Sequence, residues 1–244
     1  MVIEYGECKM KISICMPTHE MHGVGAKFLQ ENLKSIQDQT YSNVEVVISD
    51  QSTDNEIYKV CESWKDKLDI KYFRFNGERK STVNINNAIK LATGDIIKPL
   101  FVDDYFYSPK ALELIVDSFE KNPDNGWTVV ACCHKFEDEP NSSLRQFMIP
   151  AYHDDIHMGN NTISCPSVVA VRRTEDLILF DEQVHWLMDV EWYKRLHVSL
   201  GLPCVIDQTS MVIRIHSYSC TSELESQQEA KQRDYTYVFN KHNT

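Results

Sequence analysis

Apolar residues in the first half of the chain alternate between two rhythms. Short, nearly continuous runs occur at KISICMP (11–17), VEVVISD (44–50), IKYFRF (70–75) and DIIKPLFV (95–102). Runs of this kind are the pattern of strands buried on both faces. Pro99 weakens the fourth or places it near a sheet edge. Between the runs the spacing turns helical. Phe28, Leu29, Leu33 and Ile36 form one stripe in 27–39, and Ile57, Val60, Cys61 and Trp64 another behind the caps at 52–54. A third helix is predicted over 81–94, with Gly94 as its C′ residue, and a fourth over 108–122, with a proline just inside its start.

The second half is less regular. WTVVACCHKF (127–136) reads as a strand, 137–161 as a long polar loop, and TISCPSVVAVRR (162–173) as strand-like. MDVEWYKRLHVSLG (188–201) is a helix ending at Gly201, followed by two extended segments at 203–207 and 210–219. From Ser222 the chain is polar and helix-prone, a tail expected to pack loosely. Strand–helix alternation implies an α/β fold with a mostly parallel, Rossmann-like sheet flanked by helices. No repeat or linker divides the chain, so 1–244 reads as a single domain, with halves at 1–122 and 123–222 and the tail at 223–244. Ligands of open parallel sheets bind beyond the carboxyl ends of the strands. Pro17–Glu20, Asp50–Asp54, Asn76–Lys80 and Asp103–Asp104 should therefore share one rim.

Composition narrows the function. Hydrophobic residues make up 42% of the 244, enough for a substantial core, and the formal net charge of −11 argues against nucleic-acid binding. The eight cysteines form no CxxC pair, and Cys15 and Cys132 sit in apolar runs. Free thiols and a reducing compartment follow. The first residues do not read as a signal peptide, and no run approaches the about 20 apolar residues of a membrane span. The expectation is a soluble, cytoplasmic protein. Neither GxGxxG nor a Walker motif occurs, which argues against dinucleotide oxidoreductases and P-loop kinases.

Several constellations could carry chemistry. Asp103 and Asp104 end the fourth apolar run; on an extended chain they point to opposite sides, so one suits a cation and the other a hydroxyl or amide. Mg²⁺ or Mn²⁺ would suit such an oxygen-poor site, with phosphate and water completing the shell. The alternative is a solvated turn before the next helix. Asp50 ends a buried strand, where a carboxylate needs donors: either a nucleobase N–H or the turn Ser52–Asp54. Asp189 and Glu191 lie two apart on a helix, so only one can face a pocket. Glu191 precedes Arg195 by four, which reads as a surface ion pair. Asp189, in the first turn, is kept anionic by the helix dipole and suits a general base, or else caps the helix. His216 follows a strand. HEMH (19–22) lies in a loop and does not suit zinc, and HDDIH (153–157) reads as part of a mobile loop. Trp186 and Trp192 could stack on a sugar ring, with core packing the better reading for Trp192.

The ordered pieces ISICMPTHE, LKSIQDQTYSNVEVVISDQSTDNE and INNAIKLATGDIIKPLFVDDYFYSP resemble the nucleotide-sugar half of family-2 inverting glycosyltransferases with the GT-A fold. The resemblance is dense over 11–120 and sparse over 162–220. It implies a metal-dependent transfer of a sugar from a nucleoside-diphosphate sugar, UDP-linked, to a carbohydrate or other hydroxyl acceptor. Residues 1–122 would bind the nucleotide-sugar and 123–222 the acceptor, with the HDDIH loop on the acceptor side. Pro17, Thr18, Glu20, Asp50, Asn87 and Asp103 would hold the nucleotide and donor. Asp104 and His216 would hold Mn²⁺ or Mg²⁺, and Asp189 would be the base. Three positions depart from the family pattern: Tyr105 replaces a third aspartate, Asn86 an arginine, and Met188 the first acid of the catalytic pair. Two rivals are a non-catalytic binding domain of the same fold and a nucleotidyltransferase. The latter would want an arginine in the loop PTHEMHGVGAK, which has none.

Overall fold

The computed structural model describes residues 9–139, 141, 143–219 and 228–243. Strands β1 (Ile12–Thr18), β2 (Val44–Asp50), β3 (Ile70–Arg74) and β4 (Ile96–Pro99) pair in parallel in the order β3-β2-β1-β4. Every residue of β1 is buried, as a central parallel strand requires. Helices α1 (Gly25–Gln37), α2 (Glu56–Trp64) and α3 (Ser81–Leu91) connect them. The stripe Phe28, Leu29, Leu33 and Ile36 is the buried face of α1. Helix α4 (Ala111–Lys121) follows the two-residue strand β5 (Tyr105–Phe106).

Beyond β4 the sheet changes character. β8 (Val169–Arg172) runs antiparallel to β4 and to β6 (Trp127–Phe136), β9 (Cys204–Ile215) pairs parallel to β6, and β5 closes the edge antiparallel to β9. The nine-stranded sheet is therefore mixed, where the alternation of the first half predicted a mostly parallel one. β7 (Leu144–Met148), a hairpin partner of β6, lies inside the predicted polar loop. Its apolar residues, Leu144, Phe147 and Met148, do not alternate, so the segment gives no strand signal. Of the predicted strand at 162–173 only Val169–Arg172 is strand, and a 3₁₀ turn (Pro166–Val168) precedes it, because Pro166 favours the first turn of a helix. The two predicted segments 203–207 and 210–219 are one strand, β9, whose polar middle is half exposed.

One proline and one glycine also read differently. β4 is an interior strand, and Pro99 is tolerated as its last residue, opposite Cys15. Gly94 stands three residues beyond α3 and is no helix cap. A Cβ there would lie 2.7 Å from the Lys11 carbonyl oxygen and 2.8 Å from the Ser13 nitrogen, so the residue permits close backbone approach. Gly201, by contrast, does end helix α5 (Met188–Leu200) with φ +79° and donates its N–H to the His197 carbonyl.

The tail packs closely over its described part. Helix α6 (Gln228–His242) buries Asp234 and Val238. Asp234 Oδ2 accepts from the backbone N–H groups of His185 (2.7 Å) and Trp186 (2.5 Å), just ahead of α5, whose own N-cap Leu187 supplies no capping side chain. Tyr237 and Lys241 both donate to Asp181. A polar sequence hides this contact, because it is made by charges meeting backbone. Asp234→Ala leaves two N–H groups without an acceptor, and the expected loss is about 1–3 kcal/mol, measured by denaturant unfolding. Asp234→Asn keeps an acceptor oxygen and should lose less.

Glu191 lies on the buried side of α5, fully covered, where the sequence suggested a surface pair. Arg195 does bind it, with Nε at 2.7 and 3.0 Å from its two oxygens, and Lys241 and His242 of α6 add 2.8 and 3.3 Å contacts. Burial alone would raise this carboxyl, but the Arg195 and Lys241 pairs outweigh it and hold it below the usual range. A depressed carboxyl contributes stability above its unfolded pKa, and that contribution fades as pH falls through the folded value. Glu191→Gln should therefore cost about 3–5 kcal/mol near neutrality and much less in acid, a difference that unfolding curves at two pH values would read. Trp192 is core, as predicted, stacked on Phe180 at 4.3 Å.

The HDDIH stretch runs into a 3₁₀ turn (Ile156–Met158) that buries Ile156 and His157. The six described cysteines are free, in line with the sequence expectation; Cys8 and Cys220 lie outside the described residues. No helix among the described residues is long and apolar enough to cross a membrane.

Candidate active site at the carboxyl ends of the strands

The ends of β1, β2 and β3 meet as the strand register requires. Thr18 pairs with Asp50, and Asp50 with Arg74. Asp50 is fully buried and its carboxylate is well supplied. Oδ1 accepts from Ser52 N–H (2.9 Å) and Ser52 hydroxyl (2.6 Å), and Oδ2 from Tyr72 hydroxyl (2.7 Å). Thr18 hydroxyl also reaches Oδ1 at 3.3 Å. Asp50 thus caps the turn after β2, one of its two sequence readings. A nucleobase N–H would have to share or displace one of these donors.

Around it sit other rim residues. Pro17 is buried opposite Ser49. Asn87 of α3 donates to Ser49 hydroxyl at 2.9 Å, and Asn84 donates to the Thr18 carbonyl at 3.1 Å. Glu20 bridges the loops after β1, β2 and β3, accepting from Thr53 hydroxyl (3.2 Å) and Arg79 (2.9 Å). Burial pushes its carboxyl up, but hydrogen bonds from backbone, Arg79 and Thr53 prevail and hold it at about 2. Asn86, at the position where the family pattern has arginine, is buried. It clamps the Phe180 backbone by accepting from its N–H (2.8 Å) and donating to its carbonyl (2.8 Å).

Asp103 and Asp104 stand in a turn, since β4 ends at Pro99. The turn is fixed from behind by α1, where buried Asn32 donates to the carbonyls of Phe101 (3.2 Å) and Asp104 (2.7 Å). The two carboxylates do face different partners. Asp103 Oδ2 lies 3.0 Å from His216 Nε2, whose ring packs on Phe28. Asp104 is 3% exposed, and it accepts from the Cys165 thiol (3.2 Å) and the Arg214 N–H (3.2 Å). Burial and the neighbouring Asp103 push Asp104 well above the usual carboxylate range. The structure therefore pairs His216 with Asp103, where the sequence reading paired it with Asp104.

Asp189 sits half-buried in the first turn of α5. Its Oδ2 accepts from Asn161 Nδ2 at 2.6 Å, and Oδ1 from the Val190 N–H at 2.8 Å. Burial raises it to about 6, against these hydrogen bonds. The helix dipole was expected to keep this group anionic, and desolvation outweighs it. Asn161 also donates to the Ser164 carbonyl at 3.0 Å, which Tyr193 hydroxyl reaches at 2.9 Å. Ser164 itself is held at φ +91°, a conformation costing a non-glycine residue about 1–3 kcal/mol. The next residue is Cys165, bonded to Asp104. Residues 161–165 thus link Asp189 at one end to Asp104 at the other.

Asn161, Ser164, Cys165, Asn32 and Arg214 were not singled out in the sequence. Their roles depend on contacts across many tens of residues, which no local spacing encodes. Lys98, a charge in the middle of the apolar run 95–102, was the one visible signal.

Asp103 Oδ2 and His216 Nε2 are in direct hydrogen-bond contact at 3.0 Å, and they are the two groups that would turn to a divalent cation in place of that contact. Among the described residues no group of three or more His, Cys, Asp or Glu side chains could hold a metal by itself. The remaining positions would fall to water and phosphate oxygens, as is usual for Mg²⁺.

The comparisons with known proteins bear on the family and the fold. The family model described as glycosyl transferase family 2 matches residues 13–178. An uncharacterized glycosyltransferase of Rickettsia felis is 28% identical over 237 residues, covering 89% of this chain and 36% of the relative. The glucosyl-dolichyl phosphate glucuronosyltransferase of Haloferax volcanii is 29% identical over 124 residues, covering 50% of this chain and 39% of the relative. The chain thus spans little more than a third of the length of these relatives. Among solved structures, S. aureus TarS 1-349 in complex with UDP-GlcNAc superposes with a TM-score of 0.71 at 18% identity, covering 95% of this chain and 67% of that one. The Pyrobaculum calidifontis mannosyltransferase PcManGT, in complex with GDP-Man and Mn²⁺, gives 0.67 at 17%, covering 95% and 65%. At such identities the likeness speaks for the fold, which is that of GT-A glycosyltransferases. With the family match spanning two thirds of its residues, from β1 to the loop that Asn86 clamps, the chain belongs to glycosyl transferase family 2.

Proposed function

We propose that the protein is a metal-dependent inverting glycosyltransferase that moves a sugar from a nucleoside-diphosphate sugar, UDP-linked, to an acceptor hydroxyl. One observation carries the reading: residues 161–165 tie the candidate base Asp189 to the Asp103–Asp104 turn, so base and diphosphate side belong to one framework.

In this reading Thr18, Glu20, Asp50 and Asn87 line the nucleoside side of the rim. Asp103 and His216 hold Mn²⁺ or Mg²⁺, and Asp104 supports the turn from behind. When bound, the cation neutralises negative charge building on the leaving diphosphate. Asp189 accepts the proton of the acceptor hydroxyl while that oxygen bonds to the anomeric carbon and the diphosphate departs with its electron pair from the opposite face. One displacement inverts the anomeric configuration. The Asn161 amide holds Oδ2 in a fixed direction, and burial lifts Asp189 towards the pH at which a base works best.

A thermal-shift screen tests the reading. UDP, GDP and their sugars, each with and without Mn²⁺, should include a nucleotide that raises the melting temperature in the presence of the cation, because a ligand binding the folded state stabilises it. A flat response across the panel would count against nucleotide binding. Binding without any nucleotide release on prolonged incubation would favour a non-catalytic domain.

A further inference from the structure

Lys98 is the anomaly of the core. It is fully buried, at the third position of the four-residue strand β4. Among the described residues no carboxylate lies within ion-pair distance of it. Its ammonium donates instead to two backbone carbonyls, those of Pro99 (2.9 Å) and Ser167. Phe106 lies beyond, its ring centre 5.7 Å from Nζ. Burial pushes the amine down to about 7. An apolar side chain of similar length would fill this space without desolvating a charge, so packing alone does not account for a lysine.

The two carbonyls show what the ammonium holds. Pro99 is the last residue of β4 and leads directly into the turn that carries Asp103 and Asp104. Ser167 belongs to the 3₁₀ turn Pro166–Val168, immediately after Cys165. The same two segments meet again where Phe101 N–H donates to Ser167 hydroxyl at 3.0 Å, and where the Cys165 thiol donates to Asp104. Both carbonyls are negative ends of dipoles, and without a shared donor they would repel each other across a dry gap. The ammonium is the donor common to both.

We propose that Lys98 is a positioning residue, whose buried ammonium pins the Pro99 and Ser167 carbonyls together and so fixes the Asp103–Asp104 turn against residues 165–167. The proposal rests on the reading of that turn as the diphosphate side of the site. It separates two properties that ordinarily fall together. Lys98→Met keeps the length and fills the space, removes a desolvated charge and leaves two carbonyls unpaired. These effects oppose each other in stability but not in the placement of the turn.

The test compares wild type with Lys98→Met in the whole chain by three measurements. The expected result is a melting temperature within a few degrees of wild type, faster amide hydrogen exchange at Phe101 and Asp104, and at least tenfold weaker binding of UDP or GDP with Mn²⁺ by calorimetry. Lys98→Leu, which removes the same donor with a smaller apolar side chain, should move exchange and binding the same way and covers the case in which Lys98→Met does not fold. Unchanged exchange and unchanged nucleotide affinity in Lys98→Met, or in Lys98→Leu if the first does not fold, would overturn the proposal. If wild type itself binds neither nucleotide, the glycosyltransferase reading fails on its own, and exchange at Phe101 and Asp104 still decides whether Lys98 holds the turn.

Discussion

Asp189→Asn is expected to lower turnover on the order of 10²–10⁴-fold while leaving the affinity for nucleotide with Mn²⁺ unchanged. The amide is nearly isosteric, and its one oxygen can still take the hydrogen bond from Asn161 while the one from the Val190 N–H is given up. What disappears is a group able to accept a proton. The wild-type rate should also report the ionisation of this carboxyl. Burial raises it to about 6, and a base works only when deprotonated. Activity should therefore climb as pH passes through about 6 and level off above it, falling roughly tenfold per unit on the acid side. A rate profile over pH 4.5–8.5, paired with binding measurements on the variant, examines both statements. Turnover by Asp189→Asn close to wild type would place the base elsewhere.

His216→Ala and Asp103→Asn should each abolish most of the Mn²⁺-dependent part of nucleotide binding. Loss of a hydrogen-bonding partner behind a metal ligand typically weakens metal affinity about 10–100-fold, and loss of a direct ligand should weaken it at least as much. The two residues face each other at 3.0 Å from elements more than a hundred positions apart, β9 and the turn after β4. Either variant should also bind nucleotide in EDTA much as wild type does, since the nucleoside side of the rim does not involve them. Calorimetry with and without the cation separates these contributions. Asp104→Asn gives the contrast. Its carboxylate is taken up by Cys165 and the Arg214 N–H, so its loss should reach cation binding only through the shape of the turn. If Asp104→Asn proves the most damaging of the three, the cation sits on Asp104 as the sequence first suggested.

The first half of the fold was legible because parallel strands buried on both faces leave a strong mark. β2 was predicted to the residue, and β1, β3 and α1 to within two. The same periodic signal places Thr18, Asp50 and the loops after β1–β3 together. The second half was less legible for physical reasons. β7 is short and mostly exposed, β8 is shared with a proline-led turn, and β9 is amphipathic only in part. α6 was visible as helix-prone, but its docking depends on Asp234 and Lys241 meeting groups some fifty residues away. Glu191 shows the limit of a local rule. Its spacing to Arg195 was read correctly, whereas its burial is imposed by a helix that the spacing cannot see. At the site, the strand ends were readable, but the partner of each carboxylate was not. Adjacent aspartates in a turn can be rotated either way by what lies behind them, here Asn32, Cys165 and Lys98.

The clasp made by α6 has a bearing on how the chain is assembled on the ribosome. Asp234 follows Trp186, whose N–H it accepts, by 48 residues. At 5–20 residues per second, a nascent chain spends roughly 2–10 s with the approach to α5 already made and its anchor still unsynthesised. The strands β1–β4 can pair and bury their side chains during that interval, whereas the two N–H groups ahead of the helix carrying Asp189 gain their acceptor only once Asp234 has emerged. The approach to α5 would thus be completed later than the parallel strands that support it.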